Sequence, residues 1–396
     1  MSGHDLIVAG GGIGGLTAAL ALARAGHRVT VFEQAKELSE VGAGIQLSPN
    51  ASRVLVELGL GEALGRVAVT PTDIRVFTTR SGGEIARTPI GDTIAARYGA
   101  PFWVVHRADL LDALAKAVAA TPSISLVLDA RLRGAAPEPD RLVVHATVAG
   151  EARDFATDGL IGADGVRSRV RTQVRSGPPA RYTGRIAYRT TLPIEAAPEE
   201  LRRSTGLWLS PKAHIVHYPI RAGREWNIVA IVEDGWTDES WSVPADRGEV
   251  IQAFGLGTGR WPALGETILR LPERWTKWAL CGFDANFEWS AGAVTLLGDA
   301  AHATLPFAAQ GGGMAIEDAA VLARALEGAP NVGAAFRAYE ALRKPRTRAI
   351  VDQAVANGRI YHMGDVLGFF RDTTLKMGAG SHLTDRLDWI YRWTAA

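Results

Sequence analysis

A run of glycines near the N-terminus has the spacing of a phosphate-binding loop. Gly10, Gly12 and Gly15 fit the pattern G-x-G-x-x-G, between an apolar run and a stretch rich in Ala and Leu. The pattern predicts a buried strand at 5–9, a tight turn and a helix at 16–25. The first N–H groups of such a helix, at the positive end of its dipole, can bind a pyrophosphate. We therefore expect a dinucleotide-binding βαβ unit.

A carboxylate follows this loop at the distance expected for ribose binding. Glu33 ends the next predicted strand, 27–33, and Gln34 follows it. A carboxylate at this position can accept hydrogen bonds from both ribose hydroxyls of an adenosine, and it would repel the 2′-phosphate of NADP. The unit therefore predicts either FAD or NAD and does not choose between them.

Two later aspartates favour FAD. Asp164 and Asp299 each follow a short apolar run typical of a buried strand, and Gln310–Gly313 opens a predicted helix at 314–326. An aspartate at the end of a strand can bind a chain of hydroxyls, and a glycine-rich helix start can present N–H groups to a ring edge. FAD has a ribityl chain and NAD has no polyol chain. A plain NAD-dependent dehydrogenase is therefore disfavoured.

A histidine and a tyrosine share one face of another predicted strand. Because side chains alternate along a strand, His214, Val216 and Tyr218 lie on one face, and Ile215 and His217 lie on the other. An apolar wall with two hydrogen-bonding groups suits a phenol. By itself the pattern also fits an exposed histidine and a tyrosine packed in a sheet. We expect His217 to be structural.

Five motifs occur in the order typical of one enzyme family. They are the N-terminal glycine loop, Gly42–Gln46, His106–Leu110, Gly162–Gly165, and Gly298–His302 continued by Met314–Asp318. They span about residues 5–325, and the tail at 387–393 has the same character. On these motifs the chain resembles the single-component FAD-dependent aromatic hydroxylases of the p-hydroxybenzoate hydroxylase type, especially the salicylate and 3-hydroxybenzoate hydroxylase branch.

The resemblance implies contacts for a cofactor and a substrate. The implied FAD contacts are Gly10, Gly12, Gly14 and Gly15 in the phosphate loop, Glu33 and Gln34 at the adenosine, Arg107 near the phosphates, Leu132, Asp164 beside the cofactor or the nicotinamide, Asp299 at the ribityl chain, and Gly311 and Gly312 beside the flavin ring. The implied substrate contacts are His214 and Tyr218 at the ring hydroxyl, with Gln46, Val216 and Pro306 along the pocket. His302 is expected to be structural.

The resemblance also implies a reaction. NADH or NADPH would bind transiently and reduce FAD, since the chain has a single G-x-G-x-x-G unit. Reduced flavin and O2 would give a C4a-hydroperoxide that hydroxylates a small aromatic acid in a dry pocket. His214 would take or share the phenolic proton, because histidine titrates near the working pH, and Tyr218 would orient the hydroxyl. An FAD oxidoreductase that inserts no oxygen, or a regulatory flavoprotein, is the alternative.

The predicted substrate is salicylate or another hydroxylated benzoate, with 3-hydroxybenzoate 6-hydroxylase chemistry as the alternative. Gln46 stands where relatives acting on 6-hydroxynicotinate carry histidine, which disfavours that substrate. Pro306 stands where some 3-hydroxybenzoate 6-hydroxylases carry glutamine, which weighs against that reaction. The candidates for binding the carboxylate are Arg185, Arg189 and Arg221.

We expect an α/β (α+β) fold, in which a Rossmann-like FAD-binding domain carries an inserted antiparallel-sheet substrate domain and a helical C-terminal region. The FAD-binding domain would combine 1–70, 101–182 and 284–325, the substrate domain 71–100 and 183–283, and the helical region 326–396. A turn signal at Ser81–Gly83 predicts a hairpin, and alternating runs at 214–220 and 226–232 predict a second antiparallel sheet.

Composition sets the remaining expectations. The net charge of +1 disfavours nucleic acid as a partner. Cys281 is the single cysteine, so an intrachain disulfide and a cysteine metal cluster are impossible, and we expect no metal. The apolar stretch 6–25 contains the glycine loop and is better explained by strand, turn and helix than by a membrane span. With no signal-peptide pattern, we expect a cytoplasmic monomer or homodimer.

Overall fold

The computed structural model describes residues 3–38, 43–238, 240–378 and 381–395. Gly42, which opens one of the five motifs, lies outside the described residues. The strands are β1 (Asp5–Ala9), β2 (Arg28–Phe32), β3 (Gly44–Leu47), β4 (Asp73–Thr78), β5 (Glu84–Pro89), β6 (Trp103–His106), β7 (Ile124–Val127), β8 (Ala130–Pro137), β9 (Leu142–Val148), β10 (Glu151–Thr157), β11 (Gly159–Gly162), β12 (Arg181–Pro193), β13 (Thr205–Ser210), β14 (Ala213–Ile220), β15 (Glu225–Glu233), β16 (Ser242–Asp246), β17 (Arg274–Gly282) and β18 (Val294–Leu296). The helices are α1 (Ile13–Arg24), α2 (Pro49–Glu57), α3 (Gly61–Gly65), α4 (Gly91–Tyr98), α5 (Arg107–Ala119), α6 (Arg247–Phe254), α7 (Ala263–Arg270), α8 (Asp299–His302), α9 (Gly311–Glu327), α10 (Val332–Tyr361), α11 (Asp365–Met377) and α12 (Ser381–Tyr391).

A five-stranded parallel sheet forms the predicted Rossmann-like part, in the order β18-β11-β1-β2-β7. Its inner strands β1 and β11 are short and mostly apolar because both faces are covered, and Val8, Leu160 and Ile161 have no exposed surface. Helices α1 and α9 pack against each other in the same core. The sheet brings the ends of β1, β11 and β18, and hence the loops that follow them, to one edge.

The second large sheet has eight strands in the order β16-β17-β12-β15-β14-β13-β4-β5. The predicted hairpin is confirmed, since β4 pairs antiparallel with β5. The other neighbouring strands pair antiparallel, as predicted, whereas β4 runs parallel to β13, with Ile74 opposite Thr205. The long connection between these two strands passes through the parallel-sheet part, and long connections permit parallel pairing.

Several elements were not predicted. A two-stranded sheet joins β3 to β6, and a three-stranded sheet joins β8, β9 and β10. Helices α6 and α7 interrupt the stretch that was expected to be strands. A signal for α6 was present, because Asp246 caps its start by accepting a hydrogen bond from the Glu249 N–H at 2.9 Å.

The C-terminal part is helical, as predicted. Helix α10 is capped by Asn331, whose side chain accepts a hydrogen bond from the Ala334 N–H at 2.9 Å, and it packs against α9. It thereby braces the helix that begins at the glycines near Asp299. Among the described residues, no helix is both long and apolar enough to cross a bilayer.

Candidate functional site

The phosphate loop combines tight packing with open space. Gly10 has a φ of 117°, and a Cβ there would collide with the carbonyl group of Ala163. A Cβ on Gly15 would collide with the Gly10 carbonyl oxygen, so α1 can lie directly on the loop. By contrast, nothing lies within 4 Å of the Cβ position on Gly12, which precedes the first residue of α1. The open space lies at a helix N-terminus, where N–H groups can bind phosphate.

Gly14 and Gly312 bring helices close to their neighbours. A Cβ on Gly14 would lie 3.1 Å from Ala315 Cβ and from Leu297 Cδ2, so Gly14 lets α1 approach α9. A Cβ on Gly312 would lie 2.6 Å from Ile45 Cδ1, so the first turn of α9 lies against β3. Both glycines therefore have a packing role in the structure, and their contacts with FAD stay predictions.

Glu33 lies in a cleft beside the loop. Its carboxylate accepts hydrogen bonds at 2.8 Å from the Gly11 N–H and from the Ala35 N–H, which fixes its position at the end of β2. Gln34 is exposed beside it. The cleft measures about 160 Å³ and is lined by Gly11, Gly12, Glu33, Ala35, Glu37, Leu38 and Leu111. A fixed carboxylate in a cleft at the strand end suits an adenosine ribose.

Asp299 faces the glycine-rich start of α9. It is exposed at the first position of α8, directly after Gly298, whose φ is 62°. A Cβ on Gly311 would lie 3.9 Å from Asp299 Oδ1, so this carboxylate and the first turn of α9 border the same space. A carboxylate and the N–H groups of a helix start thus meet where a polyol and a ring edge could bind together.

Asp164 ties down its own loop. Its carboxylate accepts hydrogen bonds from the Ser168 hydroxyl, from the Arg169 N–H at 2.7 Å and from the Val170 N–H at 3.2 Å. Burial raises the pKa of the Asp164 carboxyl. Both oxygens therefore have a structural role, and the predicted contact with cofactor or nicotinamide stays untested.

Arg171 is a supporting residue that sequence reasoning missed. Its fully buried side chain donates hydrogen bonds to the carbonyls of Pro178 at 2.8 Å and of Ala300 at 3.0 Å. It thereby joins the Asp164 loop to the helix that begins at Asp299. An arginine in the run Val170–Val174 carried no sequence signal for this role.

Beneath Gly298 lies a buried charged cluster that was also missed. The Asp318 carboxylate accepts hydrogen bonds from the Gly298 N–H at 2.9 Å and from Arg343 Nε at 2.6 Å, and it lies 2.5 Å from His302 Nε2. Burial alone would raise the pKa of Asp318, but His302 and Arg343 lower it to about 2. His302 is therefore held in a structural contact, away from open space.

Glu317 extends this cluster to the C-terminal segment. It accepts hydrogen bonds from Asn50 Nδ2 at 2.6 Å, from Arg343 Nη1 at 2.7 Å and from Arg346 Nη2 at 2.7 Å. The guanidinium carbons of both arginines lie over the Trp393 ring, at 5.4 and 5.3 Å from its centroid. The C-terminal segment 387–393, which resembles the same family, thus contacts this charged cluster through Trp393.

The predicted face alternation of β14 is observed. His214, Val216 and Tyr218 lie on one side of the sheet, whereas Ile215 packs in the apolar core on the opposite side. His217 also lies on that opposite side, where its Nδ1 accepts a hydrogen bond from the indole of Trp226 at 3.2 Å. Neither histidine is exposed, so the alternative of an exposed His214 is wrong.

Tyr218 lies where the eight-stranded sheet meets the two-stranded sheet of β3 and β6. It pairs across the strands with Asn227, whose Oδ1 accepts a hydrogen bond from the Gly44 N–H at 2.8 Å. A Cβ on Gly44 would collide with the Tyr218 ring. Burial raises the pKa of the Tyr218 phenol, although the charges of Arg189 and Arg107 act in the opposite direction. Tyr218 therefore remains a neutral hydrogen-bonding group.

His214 packs against three aromatic side chains. Its ring centroid is 5.2 Å from that of Phe307 and 5.4 Å from that of Tyr361, and its Nδ1 lies 2.8 Å from His362 Nε2. Burial, with the charges of His362 and Arg185, holds the pKa of His214 well below its ordinary value. The expectation that His214 titrates near the working pH was therefore wrong, because the free histidine value ignores the cost of burying an imidazolium.

The remaining predicted site residues lie at different depths. Gln46 is half-buried on β3, and Pro306 is half-buried next to Phe307. Arg107 is half-buried at the start of α5. Leu132 is 6% exposed and belongs to the apolar core, where β8 pairs with β9. Its side chain therefore packs the protein interior, which leaves only its backbone for the predicted FAD contact.

The three candidate arginines differ in their surroundings. Arg221 forms ion pairs with Asp109 at 2.9 Å and with Glu225 at 3.2 Å. Arg185 lies 5.5 Å from the Phe307 ring centroid, on the His214 side. The charge of Arg189 acts on Tyr218. The charges of Arg185 and Arg189 thus act on His214 and Tyr218, respectively, whereas Arg221 is held in two ion pairs.

Known proteins resemble this chain in sequence and in fold. The family described as FAD binding domain matches residues 4–354. The 3-hydroxybenzoate 6-hydroxylase of Polaromonas naphthalenivorans (strain CJ2) is 36% identical over 98% of this chain and 96% of its own. The 3-amino-4-hydroxybenzoate 2-monooxygenase of Streptomyces platensis is 35% identical over 99% and 96%.

A solved structure agrees over the whole length. The substrate complex of a salicylate hydroxylase has a TM-score of 0.82 and 25% identity, with 100% of this chain and 96% of that chain covered. These matches extend over the phosphate loop, Asp299 and the start of α9, whose geometry fits FAD, and also over β14. The chain therefore belongs to the FAD binding domain family, as a single-component FAD-dependent aromatic monooxygenase.

Proposed function

We propose that the protein hydroxylates the ring of a hydroxybenzoate, with 3-hydroxybenzoate and salicylate as first candidates. The observation that carries the proposal is the pair His214 and Tyr218, which lie buried on one face of β14, with His214 beside the aromatic ring of Phe307. 3-Hydroxybenzoate comes first because it names the reaction of a relative with 36% identity. Salicylate stands beside it because the sequence predicts it and a salicylate hydroxylase shares the fold.

FAD would bind along the edge of the parallel sheet. The open space at Gly12 would take the pyrophosphate, Glu33 the ribose and Asp299 the ribityl chain, with the N–H groups around Gly311 facing the ring. Arg107 would add positive charge near the phosphates. When bound and reduced, the flavin would activate O2 and supply one oxygen atom to the aromatic ring.

The protein's own groups would prepare the phenol. His214 would accept the hydroxyl proton, which makes the ring a better nucleophile, and Tyr218 would hold the hydroxyl oxygen by a hydrogen bond. Arg185 and Arg189 are the preferred candidates for binding the carboxylate, because their charges act on His214 and Tyr218, respectively. Buried apolar residues around Tyr218 would exclude water, and these are Ile90, Phe102, Val104, Met314 and Ile350.

The division into domains belongs to the same proposal. The parallel-sheet segments would bind FAD, the eight-stranded sheet would carry the substrate, and residues 326–396 would brace both. NADH or NADPH would bind only transiently. We also propose that the protein is cytoplasmic and is a monomer or a homodimer.

A substrate panel tests the proposal. The FAD-loaded protein is mixed with NADH and with 3-hydroxybenzoate, salicylate, 4-hydroxybenzoate or 6-hydroxynicotinate, and NADH consumption and products are measured. Faster NADH oxidation that is matched by a hydroxylated product supports the proposal. If every acid yields only hydrogen peroxide, the alternative of an FAD oxidoreductase that inserts no oxygen replaces it.

A further inference from the structure

A row of half-buried side chains crosses the eight-stranded sheet and ends at the His214 site. Its members, which lie opposite one another in turn on β17, β12, β15 and β14, are Thr276, Arg189, Val229 and Val216. Each of them keeps part of its surface exposed. Because residues that lie opposite each other share one face of a sheet, the row ends between His214 and Tyr218 on β14.

The rows on either side of it are closed. On one side Ala187 lies opposite Ile231 and Ile231 opposite His214, and none of the three is more than 1% exposed. On the other side Asn227 lies opposite Tyr218, and both are buried. The half-buried row therefore marks the accessible line on this face, and it covers three strand spacings, or about 14 Å, from β17 to β14.

Two tryptophans lie at the outer end of the half-buried row. Trp278 is half-buried on β17, and Trp241, directly before β16, is 41% exposed. Their ring centroids are 4.3 Å apart in an edge-to-face contact. The Trp241 carbonyl accepts a hydrogen bond from the Ala279 N–H at 2.9 Å, which fixes Trp241 to this end of the sheet. Such a pair offers a large and rigid surface to another aromatic ring.

An arginine accompanies each of the two indole rings. The guanidinium carbon of Arg167 lies 5.8 Å from the Trp241 ring centroid, and that of Arg189 lies 5.7 Å from the Trp278 centroid. Arg167 is exposed in the loop that follows β11, so it reaches the edge of the eight-stranded sheet from the parallel-sheet part. Burial raises the pKa of Tyr218, and the charge of Arg189 opposes this rise. Positive charge thus extends from the surface to the buried phenol.

This combination of rings and cations fits a small aromatic carboxylate. Its ring can stack on an indole, and its carboxylate can bind a guanidinium. A nicotinamide dinucleotide also carries aromatic rings and negative charge. The half-buried row, however, ends at Val216, beside His214 and Tyr218, and not at Asp299, where the flavin is proposed to bind. The direction of the row therefore favours the aromatic acid.

We propose that the two tryptophan–arginine pairs form a peripheral binding site, in which the aromatic acid docks as an anion before it moves along the half-buried row to the His214 site. This entry site consists of Arg167, Arg189, Trp241 and Trp278. The inference rests on the proposed function, because the ligand is the acid that the protein is proposed to hydroxylate. The entry site would raise the local concentration of the acid and speed its entry, with the outer pair making no contact in the final complex.

Association kinetics with the oxidised, FAD-loaded protein test the entry site. The probe is 3-hydroxybenzoate, and stopped-flow measurement of flavin fluorescence follows its binding to the parent, to Trp241→Ala and to Arg167→Gln. Each variant should lower the association rate constant by about twofold to fivefold, the size of one exposed cation–π contact. The dissociation rate constant should fall by a similar factor, so the Kd should change little. A merely structural role would change the Kd or the FAD content instead.

Two surface variants serve as matched controls. Trp389 on α12 is also 41% exposed, and the guanidinium carbon of Arg346 lies 5.5 Å from its ring centroid. Arg153→Gln removes the same charge as Arg167→Gln, from an exposed position on β10. Trp389→Ala and Arg153→Gln should both keep the parent association rate constant, because neither residue lies along the half-buried row.

Charge and ring contacts are separated by salt and by a neutral analogue. Added salt should slow association of the acid in the parent, and the dependence should be weaker in Arg167→Gln. Trp241→Ala should slow 3-hydroxybenzamide as well as the acid, whereas Arg167→Gln should slow the acid alone. A salt dependence in Arg167→Gln equal to that of the parent would overturn docking of the acid as an anion.

The remaining outcomes separate the two claims. Parent-like association in both Trp241→Ala and Arg167→Gln would overturn the entry site and leave the proposed function standing. Slower flavin reduction by NADH at saturating acid, with parent-like association of the acid, would also overturn it, because the site would then bind the dinucleotide. Failure of every acid of the panel to bind the parent protein would overturn the proposed function and the entry site together.

Discussion

The carboxylate of Asp318 accepts a hydrogen bond at 2.9 Å from the backbone N–H of Gly298. A buried charge on α9 thereby positions the turn that presents Asp299 to the proposed ribityl site. The partners of Asp318 include Arg343, on α10, which is itself 1% exposed and lies under Trp393. The FAD site is thus coupled to the C-terminal helices through a small number of buried ion pairs.

Removal of the Asp318 charge should destabilise the protein and loosen FAD. Asp318→Asn removes one of the two buried carboxylates that pair with Arg343, so the free energy of unfolding should fall by about 3 kcal/mol. Chemical denaturation monitored by tryptophan fluorescence and by flavin release measures both effects. Asp388→Asn, at a surface pair with Arg97 and Arg392, is the control and should have a much smaller effect.

Asp299→Ala should weaken FAD binding by about tenfold to a hundredfold, because one hydrogen bond from a charged group to the ribityl chain is lost. The Kd comes from flavin fluorescence on titration of apoprotein with FAD. Asp284→Ala is the control, since the Asp284 carboxylate accepts a hydrogen bond from the Asn286 N–H in an exposed loop. An unchanged FAD affinity in Asp299→Ala would remove this residue from the ribityl role.

Tyr218→Phe and His214→Ala should slow hydroxylation by about a hundredfold each while FAD content stays at the parent level. Rapid-quench measurement of product in a single turnover isolates this step. Tyr188→Phe is a matched control, because Tyr188 is equally buried but lies in the core on the opposite side of the sheet. Parent-like rates in both site variants would place the substrate pocket elsewhere.

The buried histidines should make stability fall in mild acid. Burial lowers the pKa of His217 to about 3, and His214 is also held well below its ordinary value. Below the ordinary pKa of about 6.5 the unfolded chain binds protons that the folded chain cannot, so each histidine should cost about 1.4 kcal/mol of stability per pH unit. The loss should begin near pH 6.5 and continue downward to the folded pKa.

The midpoint of urea unfolding, measured in excess FAD between pH 7.5 and 5, checks this dependence. His217→Asn should give a shallower slope of stability against pH, whatever its effect on stability itself. A parent slope of zero would contradict the buried neutral state of both rings.

Patterns in neighbouring residues were the predictable part of this protein. The glycine spacing from Gly10 to Gly15 and the apolar runs gave the parallel sheet, because a strand, a tight turn and a helix leave strong local signals. The alternation around His214 and Tyr218 likewise predicted which side chains share a face. The FAD class followed from five motifs in order, and the family match confirms it.

Contacts between distant residues could not be predicted in the same way. Asp318 lies on α9, and its partners come from the turn before α8, from α8 and from α10, so no local pattern joins them. The prediction that His214 titrates near the working pH was wrong for the same reason. Its burial by Phe307, Tyr361 and His362 depends on how α10 docks on the sheet. The parallel pairing of β4 with β13 is a third case.

The central claim is that this protein transfers an oxygen atom from O2 to the ring of a hydroxybenzoate. The direct measurement is a reaction under ¹⁸O₂ with NADH and 3-hydroxybenzoate or salicylate, followed by mass spectrometry of the product and a count of the NADH consumed. We expect one ¹⁸O atom in each product molecule and close to one NADH consumed per product. A product without ¹⁸O, or NADH oxidation that yields only hydrogen peroxide with every acid tried, would contradict the account.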